Sequence, residues 1–313
     1  MFRQIIRRLL LAIPTLFAVV TIIFLVVRVV PGDPARAVLG DYASEETIQA
    51  YREQMGLNDS LLVQYKNYMF GLLQGDLGDS LVTRQPAWDQ IKGILPHTLE
   101  LTIAAVIIAL AIGIPMGVLS AMRQNTTFDY VSRVVSLAGL SAPAFYIGLL
   151  LMYIFGAKLG WFPAIGAGDF SDPLDNLHRL VLPAVTLGMV ETAYVMRMTR
   201  SVMLNVLNDD YIRTARAKGL VESRVMRQHA FRAAMVPIVS LVGIFTIGLI
   251  GGSVLTEQVF GREGLGRRLV GATQQFDYNM VQAIMVVYAL IIVVVNIIVD
   301  IVYTYVDPRV RNS

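Results

Sequence analysis

The sequence predicts an all-α, polytopic membrane protein: six transmembrane helices, a small extracytoplasmic cap and a short helical segment on the cytoplasmic side, read as one domain over residues 1–313. Three observations carry that expectation. Hydrophobic residues make up 55% of the chain and charged residues 16%, against about 25% charged in a soluble domain. Apolar segments recur at about 9–30, 97–121, 134–156, 180–203, 235–259 and 280–303, each long enough to cross a hydrocarbon core of ~30 Å. The basic residues, finally, are sorted between the connections.

The first segment follows Arg3, Arg7 and Arg8. Its apolar run is too long for a signal-peptide core, and "PGDPAR" follows it in place of a small-residue cleavage site, so it reads as an uncleaved span. Residues 31–96 are polar and far longer than a turn; "SEETIQAYREQMG" and "LLVQYKNYMFGLL" are compatible with helices, and "QGDLGDS" punctuates them. This is the expected cap.

Lys and Arg near span ends set orientation. With the N-terminus inside, the inner segments 1–8, 122–133, 197–232 and 306–313 hold fifteen basic residues and the two short outer loops hold five. Both termini are therefore expected in the cytoplasm. The second span carries Ala109, Gly113, Gly117 and Ala121, a small residue every fourth position, and the fifth carries Gly248 and Gly252. Such stripes let backbones approach closely in lipid, where helix association depends on packing. Pro115, Pro143 and Pro183 should kink or bound their helices.

Catalytic signatures are missing. There is no cysteine, so neither a disulfide nor a thiolate metal site is possible. His97, His178 and His229 show no ligand spacing, and GxxxxGK[ST], HExxH and GxSxG do not occur. "GAGD", Gly166–Asp169, matches a short intramembrane-protease signature but falls in an outer loop without a partner Asp, and it reads as a turn. No catalytic, cofactor or metal site is expected. Glu191, midway along the fourth span, admits two readings: a pathway-lining acid or a structural one facing the bundle interior. Asn296 and Asp300, one turn apart, read as helix glue.

One basic island stands out, "DDYIRTARAKGLVESRVMRQHAFRAAMVP", with six basic residues against three acidic. Asn208–Asp210 suit a helix start. Gly219 should then break the helix before a second one over Val221–Phe231. A positive-inside loop and a segment lying on anionic lipid both fit the charge; nucleic-acid binding does not suit a loop pinned between two spans. Thr214, Ala215, Ala217 and Gly219 leave a face open to another protein.

"YIRTARAKGL…HAFRAAMVP" resembles the cytoplasmic "EAA" loop of ABC-importer permeases, the segment that seats in a groove of the ATPase subunit. Gly219 takes the motif's Gly position, Ala215 its second Ala and Pro237 its later Pro. Arg213 and Thr214 stand where Glu and Ala are usual, and Arg232 stands at the earlier Pro. Those departures match the dipeptide, oligopeptide, nickel and glutathione branch, as do "GDLGDS", "LPHTLELTIAA", "LGWFPAIG", "VFGREGLGRRL" and "YTYVDPRVR". The resemblance implies a permease half of an importer. Its partners would be a second, homologous permease, two ATP-binding subunits that carry ATP and Mg²⁺, an extracytoplasmic substrate-binding protein and the lipid bilayer. It implies a coupling helix within 209–232, with Tyr211, Arg213, Thr214, Ala215, Ala217, Lys218, Gly219 and Leu220 as the ATPase-docking residues. Peptides are the commonest cargo of that branch; glutathione, nickel, opines and oligosaccharides stay open. The rival reading, an ion-coupled secondary transporter, predicts an inverted repeat, and none is evident.

Overall fold

The computed structural model describes residues 2–29, 33–40 and 42–306. Pro31 and Gly32 of "PGDPAR", Asp307–Arg311 of the closing motif and the side chains of Arg3 and Arg7 lie outside the described residues. The helices in chain order are α1 (Phe2–Val29), α2 (Pro34–Leu39), α3 (Glu45–Gln54), α4 (Leu61–Leu73), α5 (Ala87–Met122), α6 (Thr127–Ser141), α7 (Ala144–Leu151), α8 (Pro173–Leu207), α9 (Asp210–Ala217), α10 (Glu222–Arg224), α11 (Phe231–Val259), α12 (Leu265–Gln274) and α13 (Tyr278–Val306). Wider, π-helical turns extend α7 over Met152–Lys158 and join α10 to α11 over Val225–Ala230. The chain divides into two compact units.

One unit holds Phe2–His97 with Glu263–Val293. Its short helices start at side-chain caps. Asp33 accepts from the Ala35 N–H (3.1 Å) ahead of Pro34, Ser44 from Thr47 (3.2 Å), and Ser60 from Val63 (3.4 Å); each satisfies an amide that the first helical turn leaves free. Ala35, Ile48 and Tyr51 form the small core of α2 and α3. The Tyr51 hydroxyl donates to the Leu81 carbonyl (2.5 Å). Asp277 caps α13 by accepting from the Met280 N–H (3.2 Å) and also accepts from the Leu81 N–H (3.0 Å) and the Ser80 hydroxyl, fastening the "GDS" turn to α13.

The other unit holds Thr98–Arg262 with Val294–Ser313. Here α8, capped by Asp172 and entered through Pro173, packs against α6, α7 and α11, and small residues set how near α5 comes. A Cβ on Gly113 would lie 2.8 Å from Val195, and one on Gly117 would lie 2.6 Å from the Met196 carbonyl oxygen and 2.7 Å from Thr199. Gly188 faces back onto Ile108 and the Ala105 carbonyl oxygen (3.0–3.1 Å). Leu101, Ala105, Leu180, Ala184, Leu187 and Leu249 bury the seam.

Among the described residues, five helical stretches are long and apolar enough to cross a membrane: Arg8–Arg28, Ala87–Met122, Pro173–Leu207, Glu222–Val259 and Tyr278–Thr304. The third expected span is not one straight helix. Thr127–Ser141 and Ala144–Lys158 meet at 98°, because Pro143 cannot continue a helix and holds the residue before it extended (Ala142 ψ 129°). Counting the bent pair as one crossing gives six. Pro115 and Pro183, by contrast, lie inside unbroken α5 and α8, as does Pro237 in α11. At 36 residues, α5 runs about 54 Å and begins ten residues before the apolar stretch that marks it in sequence. "GAGD" is a turn in which the Asp169 carboxylate accepts from the Ser171 N–H (2.9 Å).

Candidate functional site

The island folds around Gly219. Helix α9 ends at Lys218, and Gly219 takes φ 77°, the left-handed conformation in which glycine carries no Cβ penalty. The Gly219 N–H then reaches the Arg216 carbonyl (2.9 Å) and the Leu220 N–H reaches Ala215 (3.4 Å), the paired bonds of a Schellman stop. Open space surrounds a Cβ at Gly219, so the demand for glycine is conformational rather than steric. Arg216 closes the elbow by donating twice to Glu222 (3.1 and 2.7 Å).

The two faces of α9 differ. Ile212 and Ala215 are buried with Ala121, Met203, Val225, Met226, Ala230, Ala234 and Ile238. Tyr211, Arg213, Thr214, Ala217, Lys218 and Gly219 are exposed, and Leu220 is half-buried. Ala215 is therefore a correction to the expected open face: at 6% exposure its methyl fills the chain's own core, because it lies one turn from Ile212 on the inward stripe. Asp209 occupies the N-cap position without a side-chain cap bond. The second helix of the island is also not separate: from Glu222 the chain runs through the π turns into α11, so the elbow hangs directly on a membrane-crossing helix.

Two buried polar clusters stiffen this unit. Asp129, with no exposed surface, accepts from Arg200 through both oxygens (2.6 and 2.8 Å), from the Ser120 hydroxyl (2.7 Å) and from the Asn125 N–H (3.1 Å). This bidentate pair ties the α5–α6 turn to α8 just before α8 leads into α9. At the other end of α8, about 36 Å away by helical rise, Asn176 donates to Glu100 (2.6 Å), which also accepts from fully buried Arg262 (2.5 Å). Glu257, equally buried, accepts from Thr98 (2.8 Å). Burial pulls the pKa of Arg262 down, and Glu100 and Glu257 oppose that. Sequence reasoning missed both clusters, whose partners lie 71 and 162 residues apart; the one available signal was the presence of Asp and Arg beside apolar runs.

Glu191 is buried on α8, and its Oε1 has no hydrogen-bond partner among the described residues. One neighbour that could satisfy a structural acid is engaged elsewhere. The Thr192 hydroxyl donates to the Gly188 carbonyl (2.7 Å), and Tyr194 stacks on Phe245. Of the packing glycines, Gly113 and Gly117 meet α8 as described. Gly252 is in ordinary contact with Leu187 (3.5 Å), whereas Gly248 has nothing within 4 Å. The close approach on α11 is at Gly243, where a Cβ would lie 2.5 Å from Val299 of α13.

Comparison with known proteins matches these features to one group. Residues 113–312 match the family described as binding-protein-dependent transport system inner membrane component, and residues 1–102 match the N-terminal region of that membrane component. The chain is 40% identical to the dipeptide transport system permease protein DppB of Alkalihalophilus pseudofirmus, over 97% of this chain and 98% of that one. It is 39% identical to the glutathione transport system permease protein GsiC of Escherichia coli K12, over 99% of both. In fold it is similar to a chain of the inward-facing MetNI methionine ABC transporter, with TM-score 0.57 and 19% identity over 68% of this chain and 94% of that chain. An amino acid ABC transporter gives TM-score 0.55 at 19% identity, over 69% and 94%. The chain belongs to the family of binding-protein-dependent transport system inner membrane components, the multi-pass permeases of ABC importers.

Proposed function

We propose that this chain forms half of the translocation pathway of an ATP-driven importer of short peptides. It pairs with a second, homologous permease. Two ATP-binding subunits, which carry ATP and Mg²⁺, dock on the cytoplasmic side, and a substrate-binding protein delivers cargo from outside. The names of the relatives support the cargo class, since a dipeptide and glutathione, a tripeptide, are both short peptides. Both termini lie in the cytoplasm, a reading supported by the distribution of basic residues between the connections. The whole chain acts as one transmembrane domain with 31–96 as its extracytoplasmic insertion.

The observation that carries the docking reading is the two-faced geometry of α9. Ile212 and Ala215 root it in the core, while Tyr211, Arg213, Thr214, Ala217 and Lys218 face outward and the Gly219 stop sets its end. A helix held this way moves with α8 and α11. Closure of an ATPase dimer would draw two such helices together and swing the spans between inward- and outward-facing arrangements. Glu191 offers an acceptor for the amine end of a peptide in the pathway; its unpartnered Oε1 supports that role. In the reconstituted transporter, Gly219→Leu forces a left-handed conformation on a side chain that resists it. It should abolish uptake and loosen ATPase co-purification while membrane insertion is retained. Normal assembly and coupled uptake in that variant would overturn the docking reading.

A further inference from the structure

Helix α4 (Leu61–Leu73) buries none of its residues, although it is one of the more apolar helices outside the spans. Leu62, Val63, Phe70 and Leu73 lie on one side of it, exposed by 77, 43, 63 and 82%. The opposite side packs on α1. The Tyr65 hydroxyl shares a hydrogen bond with Thr21 (2.7 Å), Phe24 meets the Tyr65 and Tyr68 rings at 5.1 and 5.7 Å, and Arg28 donates to Gln64 (3.0 Å). Thr21 and Phe24 belong to the membrane-crossing stretch Arg8–Arg28. By helical rise, Thr21 sits about 10 Å inside the Arg28 end of that stretch.

We propose that α4 is an interfacial membrane helix: its Leu62, Val63, Phe70 and Leu73 face lies among lipid acyl chains of the leaflet at the C-terminal end of α1. A helix whose inner face touches the span at that depth has its outer face level with hydrocarbon and headgroups, not with bulk water. Amphipathic interfacial helices settle about 5–10 Å into the same boundary. The exposed apolar face of α4 continues the lipid-facing surface of α1, where Phe17, Ile22, Leu25 and Val26 are exposed too. Lys66, the one basic residue on the outward side of α4, has a stem long enough to carry its ammonium out to the headgroups. This removes α4 from the cap expected over 31–96, leaving α2, α3 and the turn at Ser80 as its water-facing part.

The inference rests on α1 crossing the membrane, and the test separates the two. The chain has no cysteine, so a cysteine introduced alone is the only site for a nitroxide label. Labels placed at residues 62, 70 and 73 of the full-length chain in phospholipid vesicles report collision with oxygen, which concentrates in lipid, and with a water-soluble nickel chelate. The expected oxygen-to-nickel ratio at all three is several-fold above that of a label at exposed Gln54 of α3 and approaches that at Phe17 of α1. A ratio at the three α4 sites equal to that at Gln54 overturns the proposal, and so does shielding of them from both reagents, the signature of a protein partner such as the binding protein. A low ratio at Phe17 would instead defeat the spanning reading of α1.

Discussion

Replacing Gly117 and, separately, Gly248 with alanine isolates how closely α5 and α8 must approach. Both glycines lie inside long helices, so each substitution raises helix propensity by about 1 kcal/mol. At Gly248 nothing lies within 4 Å of the new methyl, and the variant should be as stable as the parent or slightly more so. At Gly117 the methyl would sit 2.6 Å from the Met196 carbonyl oxygen and 2.7 Å from Thr199 Cβ. A backbone oxygen cannot swing aside, so the helices must separate. Overpacking of that kind costs about 1–3 kcal/mol. Because the propensity gain is common to both, the difference between the two variants measures the clash alone. Thermal unfolding of the purified chain in detergent, followed by circular dichroism, should place the Gly117→Ala midpoint below that of Gly248→Ala. Equal midpoints, or the reverse order, would refute the argument that Gly117 sets the α5–α8 distance.

Other expectations follow from buried groups. Ala215→Asp should destabilise the isolated chain by about 1–3 kcal/mol or more, since its carboxyl enters an apolar core, whereas Ala217→Asp on the exposed face should leave the unfolding midpoint nearly unchanged. Arg200→Met leaves the Asp129 carboxylate with Ser120, the Asn125 N–H and the more distant Arg133 guanidinium (3.9 Å). Loss of one partner of a buried pair costs about 3–5 kcal/mol, and Arg133 should hold the loss to the low end of that range, while the double variant Arg200→Met/Asp129→Leu should recover much of it in the same unfolding assay. Glu191→Gln should lower uptake of a cationic peptide relative to an anionic one in reconstituted vesicles, with ATP hydrolysis and assembly retained. An unchanged ratio would count against a pathway role.

What the sequence determined by itself is local or additive. Apolar length marks the crossing segments because the bilayer requires about 20 such residues whatever their neighbours. The elbow was legible for a similar reason: a glycine after a short basic helix answers a backbone demand within four residues, and Gly219 meets it at φ 77°. Gly113 and Gly117 were legible as a stripe. Which stripe meets a neighbour was not, since Gly243 rather than Gly248 closes on another helix of this chain, and that depends on how α11 is rotated against α13. The inward turn of Ala215 is of the same kind. Small size says only that close approach is allowed, while the rotation of α9 about Ile212 decides what approaches. The 98° bend at Pro143 was signalled by the proline, yet Pro115 and Pro183 gave the same signal and their helices run on. Tertiary packing therefore selects which proline breaks a helix. Asp129 with Arg200 and Glu100 with Arg262 lay furthest from view. A charge in an apolar chain announces that it needs a partner, but only the folded arrangement of α5, α6, α8 and the turn after α11 brings that partner within 2.6 Å.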